Sequence, residues 1–269
     1  MSLTTPPSVQ KLQTALRDKA KGSPNFRFYA VYDKVYREDI LAFAYACCKV
    51  NGGAAGVDQQ RYEDIEKYGR ERWLDELAKE LRSQSYRPLP VRRVYIPKPD
   101  GKQRPLGIPA VRDRVAQTAA GLVLEPIFDV DLQPEQYAYR EDRSALDAVK
   151  RVHGLLNTGY RDVVDADLSG YFDSIPHAEL MKTVARRIVD GAMLHLIKMW
   201  LEAPVEETDE HGNTIVVCAT GMKDEEPRKE LRSARCSAIC ICAVSYSDGR
   251  PSGTKRVCAV TLSTTPTIW

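Results

Sequence analysis

The sequence contains no run of roughly 18 or more apolar residues, the length a bilayer-spanning helix needs. Its first residues, Met1–Gln10, also lack the basic-then-apolar pattern of an export signal. A membrane or secreted protein is therefore disfavoured, and no membrane partner is expected. Strong charge of one sign is missing too: 39 Lys and Arg against 37 Asp and Glu leave +2, too mild on its own to demand a polyanionic partner. There is no Gly-x-Ser-x-Gly elbow, no Walker loop and no dinucleotide fingerprint, which removes the usual rival enzyme classes. Cysteine is scarce through the first 217 residues, where only Cys47 and Cys48 occur, yet five crowd the last 52. Without an export signal a disulfide framework is disfavoured, and Cys236-x3-Cys240-x-Cys242 with Cys258 fits the paired spacing of a zinc site poorly. What is present, 43% hydrophobic and 28% charged residues over 269 positions, can bury the core of one large or two modest domains.

Residues 1 to 27 are polar and carry Lys11, Arg17, Lys19 and Lys21; they read as a mobile arm or a short helix. From Val35 to Lys49 apolar residues recur at helical spacing, and Asn51-Gly52-Gly53 ends the run. A second helix is expected through Ile65, Trp73, Leu74, Leu77 and Leu81. Between Tyr86 and Pro109 six prolines forbid a long helix. Val91, Val94, Tyr95 and Ile96 favour a strand there, Pro99-Asp100-Gly101 a tight turn, and Lys102 to Ile108 a returning strand. Charge collects on this hairpin: eight Lys or Arg lie between Arg87 and Arg114 against only Asp100 and Asp113. Helices follow at Asp113–Leu124, closed by Glu125-Pro126, at Ser144–Leu156 with Ala145, Leu146, Val149, Val152 and Leu156 inward, and at Leu180–Leu201.

Between the last two helices, Val163 to Leu168 reads as a short apolar strand in which Asp165 and Asp167 point to the same side. Two carboxylates on a buried strand are costly unless a cation or a protein partner compensates them. They are either strand-edge aspartates in caps and salt bridges, or a divalent metal site for phosphoryl transfer.

Asp167-Leu168-Ser169-Gly170-Tyr171-Phe172-Asp173-Ser174-Ile175 resembles motif A of reverse transcriptases. Upstream, Arg92 through Pro109 resembles the fingers hairpin of the enzymes encoded by bacterial group II introns. Arg112-Asp113-Arg114-Val115-Ala116-Gln117 is similar to their next block, Gly56-Val57-Asp58 to their N-terminal block, and Tyr139-Arg140 with Ser144-Ala145 to the segment before motif A. Five blocks in family order identify the chain as a group II intron-type reverse transcriptase. The resemblance implies an α+β right-hand polymerase fold in a bacterial, cytoplasmic protein, with fingers and an incomplete palm. It implies Mg²⁺-dependent DNA synthesis from dNTPs on an RNA template with a DNA primer, and binding of intron RNA. Asp167 would bind both ions, with the Leu168 carbonyl completing one shell and Asp165 a secondary candidate. Phe172 would lie under the sugar and exclude a 2′-hydroxyl. Lys98 and Arg104 would grip the incoming triphosphate. Arg92, Arg93, Lys102, Arg112 and Arg114 fit the template backbone electrostatically.

The family's second carboxylate pair, in a Tyr-x-Asp-Asp hairpin, is missing, and Pro227 to Trp269 shows no amphipathic period. If each codon's third base is read with the next codon's first two, Ser263 to Trp269 is compatible with Asn-Tyr-Ala-Asp-Asp-Leu. Cys236 to Ser245 and Lys229 to Ser233 are compatible with earlier family blocks. The expectation is a frameshift between about residue 215 and residue 229. The organisation expected is an arm over 1–34, fingers over 35–160, a partial palm with motif A over 161–222, and an out-of-frame tail of little defined structure over 223–269. Such a chain is expected not to polymerise; a non-catalytic RNA-binding remnant and an unstable pseudogene product are the alternatives.

Overall fold

In a computed structural model that describes residues 3–97, 103–138, 140, 143–160, 162, 164–165, 175–208, 214–217 and 258–259, the N-terminal residues take the helical of their two readings. Helix α1 (Pro7–Gly22) starts on a proline at its first position and buries Val9, Leu16 and Ala20. Helices α2 (Tyr32–Val35) and α3 (Glu38–Asn51) follow, and α3 ends where Gly52 takes a positive φ of 64°. The helix expected through Ile65 and Leu81 is two, α4 (Tyr62–Tyr68) and α5 (Arg70–Arg82). The break falls on Gly69, whose φ of 107° no helix contains. Strands β1 (Val91–Pro97) and β2 (Gln103–Ile108) form the expected hairpin. Beyond them come α6 (Val111–Phe128), α7 (Ala145–Asn157), β3 (Val164–Asp165), α8 (His177–Val184) and α9 (Gly191–Leu201). Three short strands complete the described elements: β4 (Val205–Thr208), β5 (Thr214–Val217) and β6 (Cys258–Ala259).

Helix α6 is the axis. Helices α1, α2 and α3 all pack on it, and Val115, Ala116, Ala119, Ala120, Val123 and Ile127 on its faces are buried. It runs past the proline expected to close it. Pro126 offers no N–H to the carbonyl of Leu122, one helical turn back, and Gln13 of α1 supplies the missing donor, Nε2 to Leu122 O at 3.1 Å. With that carbonyl satisfied, burial of Ile127 and Phe128 carries the helix on.

The single helix expected over Leu180–Leu201 is also divided. Asp190 caps α9 through Oδ1, which accepts from the Ala192 and Met193 amides at 3.1 and 3.3 Å. Its Oδ2 accepts from the amides of Val31 and Tyr32, both at 2.8 Å. One carboxylate thus starts α9 and ties it to the N-terminal region. Arg187 adds a second tie: Nε donates to Asp131 Oδ2 at 2.7 Å and Nη1 to Pro24 O at 2.6 Å. Its neighbour Ile188 bridges Phe28.

The apolar stripe of α7 corrects an expectation. A capping box between Ser144 and Asp147 starts the helix, but Leu146 and Val149, expected inward, are 61% and 63% exposed, and Val152 and Leu156 are exposed with them. The helix forms on local capping and periodicity, while no described element covers its stripe. Of the strand expected over Val163–Leu168, Val164–Asp165 is described; it pairs in parallel with Cys258–Ala259. The rest of the expected out-of-frame tail lies outside the described residues.

The main sheet has the order β2-β1-β4-β5. Strands β1 and β2 are antiparallel from Arg92↔Ile108 to Pro97↔Gln103, and β4 joins β1 in parallel through Val91↔Val205 and Arg92↔Glu206. The loop after α3 is pressed against the junction of β2 and α6. A Cβ at Gly56 would lie 2.6 Å from Ala110 Cα and 2.7 Å from its amide nitrogen, both rigid backbone. Gly56→Ala should therefore destabilise the chain by about 1–3 kcal/mol in chemical denaturation. Gly22→Ala, with nothing within 4 Å, should leave the midpoint within about 0.5 kcal/mol of the parent.

Candidate nucleic-acid interface

The hairpin register assigns its basic residues to faces. Alternation puts Arg92, Val94 and Ile96 on one side of β1, with Leu106 and Ile108 of β2 beside them, and Arg104 is paired with Ile96 on that side. Arg93 and Tyr95 lie on the other, opposite Gly107 and Pro105. Gly107 leaves room there for Val91, whose Cγ1 a Cβ would approach to 2.8 Å. Val94, Tyr95 and Ile96 are exposed, so the outer half of the hairpin projects beyond the core. Lys98 and Lys102 belong to the connection 98–102, outside the described residues, as are Asp167, Leu168 and Phe172. Asp165 ends β3, its backbone paired with Ala259.

Arg112 and Arg114 are in the first turn of α6, and both are engaged by the fold. Arg112 Nη2 pairs with Glu80 Oε2, while its guanidinium lies 5.3 Å from the Tyr86 ring centroid. Arg114 donates to the carbonyls of Gly52 at 3.2 Å and Ala54 at 2.8 Å, and lies over Tyr62 at 5.7 Å. It thereby holds the loop that carries Gly56-Val57-Asp58 against α6.

Between these arginines is a residue that the sequence presents as a helix start and a counter-charge in the basic strip, not as a buried anchor. Asp113 is 1% exposed. Its Oδ1 accepts from the Tyr86 hydroxyl at 2.5 Å and its Oδ2 from the Leu89 amide at 3.0 Å, while Trp200 Nε1 donates to the same tyrosine oxygen at 3.1 Å. The base of the hairpin, the first turn of α6 and the end of α9 thus meet on one carboxylate. From the other side, Val91 N donates to Pro204 O at 2.8 Å. The signal available in sequence was an acidic residue in the first turn of a helix, flanked by two arginines. Tyr86 and Trp200 carried no such mark.

Burial pushes the Asp113 carboxyl up to about 6, against the opposing pull of the Tyr86 hydroxyl, the Leu89 amide and Arg112. Burial also raises Tyr86 well above its ordinary value, with Asp113 adding to it. In the unfolded chain Asp113 returns to about 3.9. The native state therefore holds a proton that the unfolded state has lost between about pH 4 and pH 6. The contribution of this group is greatest below the unfolded value and is lost as pH rises through about 6. In Asp113→Asn that pH-dependent loss should vanish. The stability of the parent relative to this variant should fall by about 1–3 kcal/mol from pH 4 to pH 7, measured by urea denaturation at each pH; a constant difference would refute it.

Among the described residues no group of three or more His, Cys, Asp or Glu side chains converges as a metal site would require. The acidic residue of motif A, Asp167, lies outside them. What the described part offers is a basic hairpin on a fixed base, able to present charge to phosphates.

Residues 96–223 match the family described as reverse transcriptase (RNA-dependent DNA polymerase). Protein YkfC of Escherichia coli K12 is 46% identical over 134 residues, covering 48% of this chain and 35% of its own. The group II intron-encoded protein LtrA of Lactococcus lactis subsp. cremoris is 33% identical over 193 residues, 70% of this chain and 31% of its own. The putative COX1/OXI3 intron 1 protein of Saccharomyces cerevisiae is 30% identical over 131 residues, 49% and 16% of the two chains. The chain thus spans about a third of the length of the first two relatives. Among solved structures, a chain of a partial Cas6-RT-Cas1--Cas2 complex overlaps 80% of this chain and 33% of its own at a TM-score of 0.43 and 17% identity. The matched segment begins near the end of β1 and takes in β2, the α6 axis and the β4–β5 pair, the mixed helix and sheet of the polymerase fold. Residues 96–223 thus match the reverse transcriptase family, and one relative that the chain resembles is a group II intron-encoded protein.

Proposed function

We propose that the chain is the fingers and first palm segment of an RNA-directed DNA polymerase of the group II intron type. The observation that carries this reading is the family match over residues 96–223, which covers the tip and returning strand of the hairpin and the whole segment that resembles motif A. The hairpin grips. Lys98 and Arg104, near its tip, take the triphosphate of an incoming dNTP, where cationic donors neutralise the charge that grows during transfer. Lys102, with Arg92, faces the phosphates of an RNA template paired to a DNA primer. Arg114 adds field at the hairpin base, and Arg112, paired with Glu80, adds less. Phe172 lies under the sugar and selects against a 2′-hydroxyl.

Asp167 and the Leu168 carbonyl are the groups that would hold Mg²⁺, which when bound supplies Lewis-acid stabilisation of the transferred phosphoryl group. Asp165 is a secondary candidate beside them. The sequence contains no Asp-Asp pair, so the second carboxylate set of the family reaction is not encoded in these residues. The reading for this chain is therefore binding of primed RNA, intron RNA included, without sustained synthesis. It would act in the bacterial cytoplasm, and no helix of the described residues is long and apolar enough to cross a membrane.

Two measurements on the full chain test this. Fluorescence anisotropy with a labelled DNA primer on an RNA template should show binding that weakens steeply with salt. Lys102→Ala should reduce the slope of log K against log salt by about 0.7–0.9 as its phosphate contact is lost, while Lys98→Ala and Arg104→Ala, which remove dNTP contacts, should leave it unchanged. Primer extension with Mg²⁺ and dNTPs should show no incorporation above background. Salt-independent binding overturns the first half of the proposal, and robust synthesis abolished by Asp167→Ala overturns the second.

A further inference from the structure

Opposite charges are written in register on two strands far apart in the chain. Strand β1 opens Val91-Arg92-Arg93 and β4 opens Val205-Glu206-Glu207. Their parallel pairing sets Val91 beside Val205 and Arg92 beside Glu206. Because paired residues share a face and successive ones alternate, Glu207 falls on the face of Arg93 and Tyr95. There two donors of β1 converge on one carboxylate. The Tyr95 hydroxyl donates to Glu207 Oε1, and Arg93 Nη1 lies 3.9 Å from Glu207 Oε2. The Arg93 side chain is only 12% exposed and that of Glu207 30%, so solvent screens the pair less than a free surface ion pair. The Glu207 carboxylate also holds the Tyr95 hydroxyl above its ordinary value, chiefly by accepting its hydrogen bond.

The backbone alone specifies this contact weakly. Strands β1 and β4 share two residue pairs, and a slip of one residue would turn Glu207 to the face opposite Arg93 and Tyr95. We propose that Glu207 is a positioning residue: by engaging Arg93 and Tyr95 it fixes the β1–β4 register and so the direction in which the hairpin carries its tip, residues 98–104. The proposal rests on the reading of that tip as the phosphate-gripping element. It also gives Arg93 an internal duty in place of a template contact. Glu206, set beside Arg92, supports the same register from the opposite face.

The sign of one effect separates this role from simple electrostatics. Glu207→Gln makes the chain one unit more positive. If Glu207 merely repelled a polyanion, the substitution would tighten binding of primed RNA. If it positions the hairpin, binding weakens by roughly three- to tenfold, the consequence of losing one charged acceptor. The assay is fluorescence anisotropy on the full chain with a labelled DNA primer annealed to an RNA template, at fixed salt. Tightened or unchanged affinity in Glu207→Gln overturns the proposal.

A melting cycle supplies the second readout, and it needs no nucleic acid. Arg93→Glu and Glu207→Arg should each lower the melting temperature, and the double exchange should recover most of the loss, together with affinity for primed RNA. Additive losses overturn the pairing. Recovered melting with affinity still lost adds a template contact to Arg93 and overturns the claim that its internal duty stands in place of one. Should Glu207→Gln fail to fold, Tyr95→Phe removes one donor and keeps the ring, and the same weakening is expected of it. If the parent chain does not bind primed RNA at all, the functional reading fails, while the melting cycle still decides the pairing.

Discussion

The position of the basic hairpin depends on the Asp113 carboxylate, which is buried where three parts of the chain meet. Burying a carboxylate is unfavourable, and the rise of its pKa to about 6 shows that desolvation outweighs every favourable contact around it. The first turn of α6 offsets part of that cost, since the positive end of the helix dipole favours an anion. What the carboxylate adds is direction. Its two oxygens take donors from different places, Tyr86 and the Leu89 amide, and Tyr86 passes the constraint on to Trp200. An apolar side chain would fill the space but leave the Leu89 amide and the Tyr86 hydroxyl without their acceptor, a larger loss than the net value of either bond.

With the base fixed, the basic strip separates into charge and donors, which do different things. Arg114 spends its N–H groups on neutral carbonyls of Gly52 and Ala54, so its positive charge still contributes to the field around the hairpin. Arg112 and Arg93 face Glu80 and Glu207, which cancels much of their field at a distance. The strip counted from the sequence as eight basic residues is thus weaker at its root than its composition implies.

The features legible in the sequence were those set by near neighbours. Alternation and the prolines marked the hairpin, and the stripes of Trp73, Leu74, Leu77 and Leu81, or of Met193, Leu196, Ile197 and Trp200, turned out buried as their spacing implied. Where the chain departed from expectation, the deciding partner was distant or the signal was a single residue. Gly69 split one helix by its backbone conformation, and where another is divided its second half starts at Asp190, which also binds the distant Val31 and Tyr32 amides. Pro126 failed to stop α6 because a glutamine more than a hundred residues earlier satisfies the carbonyl it leaves open. The parallel pairing of β1 with β4 has no local signature, although the matched Val-Arg-Arg and Val-Glu-Glu runs carry the charge pattern that specifies it.

The same contrast separates grip from chemistry. The hairpin is anchored by Asp113 of α6, by the Pro204 carbonyl and by β4, and among the described residues none of these contacts involves Val164–Asp165. That strand is tied differently among the described residues: Val164–Asp165 pairs with two residues of the distant Cys258–Ala259 strand, and the helix leading into it, α7, leaves its apolar stripe exposed. Among the described residues, burial and hydrogen bonding are concentrated around the base of the hairpin, and no described contact couples Val164–Asp165 to that base.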